Sequence, residues 1–175
     1  MLLTYRNLKI RNAAPDDAPL LCRWWNDGNV MAHAGFPNGL DTTADRIMLE
    51  MSTDSDDTYR RLIIEVDNTP VGEMSCRNKG NGIAEIGIKI CDPEKQDQGN
   101  GTLFLKMLIA GLFQRGYDKI VLDANVKNTR AQHVYEKLGF QKLRIHHDSW
   151  KNQLGELQSS IDYELLKSQF TPLEF

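Results

Sequence analysis

Residues 85–112 constrain the fold of this chain more than any other stretch. They begin with alternating apolar residues, pass through Gln96-Asp97-Gln98-Gly99-Asn100-Gly101, and enter a long apolar segment at Thr102. Alternation at period two specifies a strand, and apolar residues on nearly every side specify a buried helix. A glycine-bearing turn between the two aims several backbone N–H groups one way, toward the positive end of a helix dipole. Such a turn suits phosphate oxygens, so a phosphate-bearing ligand is expected. It is not a Walker loop, since no Gly-Lys-Ser/Thr follows the last glycine, and it lacks the first glycine of the dinucleotide fingerprint.

The flanking sequence predicts a mixed-sheet α/β fold, with residues 1–175 as a single domain. Residues 8–13 alternate as a strand, and Pro15-Asp16-Asp17 opens a helix through Trp25. Residues 26–40 carry glycine, asparagine and proline and read as a loop. Thr42 or Thr43 caps a second helix with Ile47, Met48 and Met51 at helical spacing. Residues 61–66, 71–77 and 83–91 form an antiparallel meander joined by two turns. A helix over 102–115 follows, then a strand over 119–124 and an amphipathic helix over 128–137. Strands over 141–147 and 159–166 complete the order β-α-α-β-β-β-α-β-α-β-β. Gly116 and Gly139 stop the two later helices.

Bulk properties remove several classes of function. The net charge is −3 and no basic block stands out, which argues against nucleic acid as partner. No apolar run approaches the roughly 20 residues that span a bilayer, so no membrane partner is expected. Cys22, Cys76 and Cys91 are odd in number and form no CxxC pair, which suggests neither a disulfide framework nor a metal site. The first nine residues lack an apolar signal core, and the expected address is cytoplasmic.

Two runs carry a family resemblance. Ile90-Cys91-Asp92-Pro93-Glu94-Lys95-Gln96-Asp97-Gln98-Gly99-Asn100-Gly101-Thr102 resembles the acetyl-coenzyme A signature of the GNAT superfamily of N-acetyltransferases. At the expected distance, Asn125-Val126-Lys127-Asn128-Thr129-Arg130-Ala131-Gln132-His133-Val134-Tyr135-Glu136-Lys137-Leu138-Gly139-Phe140 resembles a second motif of that superfamily. Ala84-Glu85-Ile86-Gly87-Ile88, with Trp25-Asn26-Asp27 and Val30, is similar to its ribosomal-protein and spermidine acetyltransferase subgroup. The resemblance implies acetyl-coenzyme A as co-substrate without a metal. It also implies direct transfer to a primary amine on a small molecule or peptide (a protein N-terminus, a polyamine or an aminoglycoside), and a possible homodimer.

The resemblance also assigns residues. Gln96 and the backbone of Asp97, Gln98, Gly99, Asn100, Gly101 and Thr102 would hold the pyrophosphate. Lys89, Ile90 and Cys91 would pair with the pantetheine arm, which requires a splay between their strand and residues 119–124. Asn128 would bond the pantetheine, or act only as a helix cap. Tyr135, seven positions on and so on the same helix face, would protonate the departing thiolate, or simply fill the core. Asp97 stands where many members have glycine, and a carboxylate there must point away or pair with Lys95.

The attacking amine must first lose a proton, which a carboxylate can accept. Glu85 shares a strand face with Gly87, whose missing side chain leaves room for a thioester. Asp123 interrupts an apolar strand, where an unpaired carboxylate is costly. Glu73 is a third candidate. Trp24, Trp25, His33 and Phe36 lie where the family builds its acceptor pocket, although tryptophans there also pack the first helix. A rival class is an acyl-coenzyme A sensor without turnover.

Overall fold

The computed structural model describes residues 1–173. Its strands are β1 (Leu2–Tyr5), β2 (Leu8–Asn12), β3 (Tyr59–Val66), β4 (Thr69–Gly80), β5 (Ile83–Ile90), β6 (Lys119–Asn125), β7 (Gln141–Lys151) and β8 (Leu157–Leu166). The helices are α1 (Ala18–Trp25), α2 (Gly28–Met31), α3 (Ala44–Met51), α4 (Asn100–Gln114) and α5 (Thr129–Lys137). The strands form one sheet in the order β1-β2-β3-β4-β5-β6-β8-β7, and only the β5–β6 neighbours run parallel.

Local chemistry explains most boundaries. Asp67 and Asn68 both have positive φ, the backbone of a two-residue hairpin whose twist matches that of β3 and β4. Thr43 caps α3 by accepting a hydrogen bond from the Arg46 N–H. In α4, Phe104, Leu105, Leu108, Ile109 and Leu112 are fully enclosed and pack on Ile10, Leu62, Ile64 and Met74. Each such side chain contributes about 1.5–3 kcal/mol of burial. Ile63 alternates with Leu62 and Ile64, so it faces the opposite side of the sheet, where α1 and α3 cover it.

Three expectations need correction. Residues 2–5 form β1, an edge strand paired to β2, so two strands precede the first helix. Four residues are too short to declare a period. The segment 26–40, expected as loop, contains the one-turn α2, capped by Asp27 accepting from the Asn29 N–H. Met48, expected on the buried stripe of α3, is exposed, while Ile47 and Met51 point inward.

One irregularity positions the site. β5 and β6 pair only at Ile83↔Lys119, Ala84↔Ile120 and Glu85↔Val121. Beyond Glu85 the strands part, leaving residues 86–90 without a neighbour on that side among the described residues. At about 3.3 Å per residue this is an open edge of roughly 16 Å.

Candidate active site

The glycine turn sits where that edge ends. Gly99, at φ +79°, is the N-cap of α4, and Asp97 also has positive φ. None of the six backbone N–H groups of residues 97–102 donates a hydrogen bond within the described residues. The two amides just before them are satisfied, Lys95 by the Asp92 carbonyl and Gln96 by that of Pro93. A Cβ placed on Gly99 would meet nothing within 4 Å, so the amides face open space. Six unmatched donors at a helix N-terminus form an anion cradle. The Gln96 side chain donates to the Ile90 carbonyl at 2.9 Å and ties the turn to the end of β5. Asp97 pairs with Arg130 at 2.9 Å, on α5, rather than with Lys95. Nothing in the sequence marked Arg130 beyond its place in the second motif.

The open edge corrects two assignments. The Cys91 N–H is committed to the Val71 carbonyl at 2.8 Å, toward β4. The Lys89 carbonyl also faces β4, 2.1 Å from where a side chain on Gly72 would begin. Because backbone groups alternate between strand edges, Ile88 and Ile90 face the gap, and Lys89 and Cys91 do not. Of the expected trio only Ile90 turns its backbone to the gap, its carbonyl taken by Gln96, and Ile88 faces the same way. The Cys91 thiol is pushed up to about 12 by burial, then by the charge of Glu73, so it stays protonated and unreactive.

Across the gap, Asn128 is the N-cap of α5 and its Oδ1 accepts from the Ala131 N–H at 3.1 Å. The cap role is real, and it leaves the carboxamide N–H groups without a partner among the described residues. Tyr135 is buried, its ring 5.6 Å from that of Tyr163 and 5.9 Å from that of Phe140. Its hydroxyl is pushed up to about 12 by burial, then by the charges of Asp123 and Tyr163.

The three carboxylates differ sharply. Glu85 is half-exposed and held by Lys79 at 3.3 Å and Arg77 at 3.7 Å. Glu73 accepts from Lys89 Nζ and from Trp25 Nε1, both at 2.9 Å. Asp123 has no side-chain ion-pair partner among the described residues. It stands directly opposite Asp162 in the β6–β8 register, a like-charge pairing that is destabilising. Its carboxyl lies above the ordinary value because of desolvation, then the charges of Glu85 and Asp162. The side chain still reaches solvent, so the desolvation comes from protein bulk around an open-sided site rather than from enclosure.

A cavity of about 310 Å³ lies beside the gap. Its floor includes Glu73, Ser75, Gly87 and Lys89, and its walls Trp25, Met31, Leu40, Tyr59 and Arg61. The register Glu73↔Lys89 and Ser75↔Gly87 places those four on one sheet face. Arg61 stacks on Tyr59 and Trp25 and is neutralised by Asp54 and Glu50. Of the aromatics expected here only Trp25 lines the cavity. Trp24 packs against the α1–α3 cluster, and His33 and Phe36 are exposed. The segment 26–40 is fastened over this region by Gln153, from the β7–β8 turn. Its N–H donates to the Gly35 carbonyl, its Nε2 to that of Gly39, and its Oε1 accepts from the Asn38 N–H. A larger cavity of about 450 Å³, at the opposite end of the sheet around Asp56, Asn78, Arg115 and Tyr117, touches none of these groups.

Comparison with known proteins agrees with this geometry. Residues 7–141 match the acetyltransferase (GNAT) domain family. The chain is 25% identical over 172 residues to an uncharacterized N-acetyltransferase p20 of Bacillus licheniformis, covering 93% of this chain and 94% of that protein. The fold matches spermidine N-acetyltransferase from Vibrio cholerae, solved with CoA and spermine, at TM-score 0.83 and 22% identity, over 93% of this chain and 97% of that one. It also matches RimL, a ribosomal L7/L12 alpha-N-protein acetyltransferase, at TM-score 0.81 and 18% identity, over 95% and 98%. With the domain match spanning most of its length, the chain belongs to the GNAT family of acetyltransferases.

Proposed function

We propose that this enzyme transfers acetyl from acetyl-coenzyme A to a primary amine carried on a largely uncharged body, such as a protein N-terminus. The observation that carries the reading is the junction of six unmatched amides with the open edge at Ile88 and Ile90. In this reading residues 97–102 would hold the diphosphate, and Ile88 and Ile90 would pair with the pantetheine arm, with Asn128 donating to it from across the gap. The thioester supplies an activated acetyl group. Backbone N–H at the open edge stabilises the oxyanion as the amine attacks. Asp123 accepts the ammonium proton, because it is the carboxylate without a counter-ion, and Tyr135 donates to the departing thiolate. Since Asp123 must be ionised to act, turnover falls as pH drops through its raised value.

The cavity supports the acceptor class. Its one acid, Glu73, is already engaged by Lys89, and its walls are aromatic and apolar apart from Arg61, which Asp54 and Glu50 neutralise. A polycation would find no unpaired carboxylate there. A polyamine is the second reading, favoured by the carboxylate row Glu85, Asp123 and Asp162 on the same sheet face. The test measures thiol released from acetyl-coenzyme A with peptides bearing varied N-termini, polyamines and aminoglycosides. Fastest release with peptides having small or apolar first residues is expected, and faster release with spermidine would replace the acceptor assignment. Tight cofactor binding with no release from any amine would make the protein a sensor.

A further inference from the structure

Asp123 reaches solvent on its open side, where the amine it serves would stand, and the sheet offers its proton a second path. Asp162 is the cross-strand neighbour of Asp123, on the same face. Asp162 Oδ2 lies 2.6 Å from His146 Nε2, on the neighbouring strand β7. Arg144 stands opposite Asp162 in the register, yet this carboxylate pairs with the imidazole. Histidine is the one side chain whose ordinary pKa straddles neutrality. His146 is one-third exposed, so it meets both the carboxylate and bulk water. The charged groups around it are Asp162 and Arg144, with Asp123 and Glu85 further along the row; the charges of Glu85 and Asp162 raise Asp123, and that of His146 lowers it.

We propose that Asp162 and His146 form the outlet through which the acceptor's proton reaches solvent. This rests on Asp123 as the base. The ammonium gives its proton to Asp123, leaving a neutral amine and a carboxylic acid. The acid returns to carboxylate by protonating Asp162, directly or across one water. Asp162 passes the proton to His146 Nε2, and the imidazolium loses a proton to buffer. Both carboxylates end ionised, and the net change is one proton moved from amine to solvent. His146 is thus a positioning residue for proton flow and touches no substrate.

The test compares His146→Ala, His146→Gln and Asp123→Asn in full-length protein, with acetyl-coenzyme A and the fastest amine of the panel. His146→Ala is expected to lose roughly tenfold in kcat, less than the 10²–10⁴ attributed to a direct base. Acetyl-coenzyme A affinity should hold, and added imidazole should restore the rate in proportion to its free-base concentration. His146→Gln, which can still bond Asp162 but cannot titrate, should show the same loss. A wild-type rate in His146→Ala, or a loss that imidazole leaves untouched, overturns the outlet. If His146→Ala loses cofactor binding, His146→Gln decides: a tenfold fall with intact affinity supports the outlet, and a full rate overturns it. An inactive Asp123→Asn beside a fully active His146→Ala removes the outlet alone. A fully active Asp123→Asn removes the base and the outlet together.

Discussion

Tyr135 has its ring wedged between Tyr163 and Phe140, while its hydroxyl has no hydrogen-bond partner among the described residues. A phenol held near 12 stays protonated throughout the neutral range, so it can donate to a departing sulfur and cannot act as a base. Replacing it with phenylalanine keeps the packing and removes only the donor. Tyr135→Phe is expected to lower kcat by about 100-fold and leave acetyl-coenzyme A affinity within about threefold. Single-turnover kinetics with a titration of cofactor binding checks both numbers. An unchanged kcat would return Tyr135 to a packing role.

At the level of elements, the turn between β5 and α4 is a small machine for holding charge. Its donors are unmatched because helix geometry leaves the first four N–H groups without partners, and Gly99 allows the chain to enter from positive φ. Gly99→Asp places a carboxylate in the open space before those donors, and two like charges about 4 Å apart repel strongly in this setting. Acetyl-coenzyme A affinity should weaken by at least about 100-fold, read by calorimetry, while the strain of a non-glycine residue at positive φ lowers the thermal midpoint by only about 2–8 °C. This turn was legible in sequence because glycine spacing and apolar periodicity are local. The long helix, the meander and the caps at Thr43 and Asn128 were legible for the same reason. What escaped depends on register. Whether Lys89 or Ile90 faces the gap follows from which residue meets Val71. The pairing of Glu73 with Lys89 follows from a cross-strand alignment that no window of residues contains. The contact of His146 with Asp162 likewise comes from laying β7 beside β8, an alignment neither strand's own sequence contains. β1 escaped for another reason, because four residues carry too little pattern.

Over the whole molecule, the segments that shape the acceptor side are far apart in sequence and are joined by one glutamine. Gln153 makes three hydrogen bonds to residues 35–39, and Trp150 lies against Gly35 so closely that a Cβ there would fall 2.4 Å from its ring. At about 1 kcal/mol each, the bonds hold residues 26–40 over the cavity. Gln153→Ala removes the two side-chain bonds and keeps the backbone one, so it should raise KM for the amine about five- to tenfold and leave acetyl-coenzyme A affinity unchanged, since the anion cradle lies on other elements. Equal changes in both constants would show that the clamp supports the fold rather than the acceptor side. The parting of β5 from β6 has a broader effect. Five strands on one side and three on the other share a seam only three residues long. An acyl donor laid into the opening would complete the weave, so the resistance of the fold to unfolding is expected to rise with the amount of donor around it.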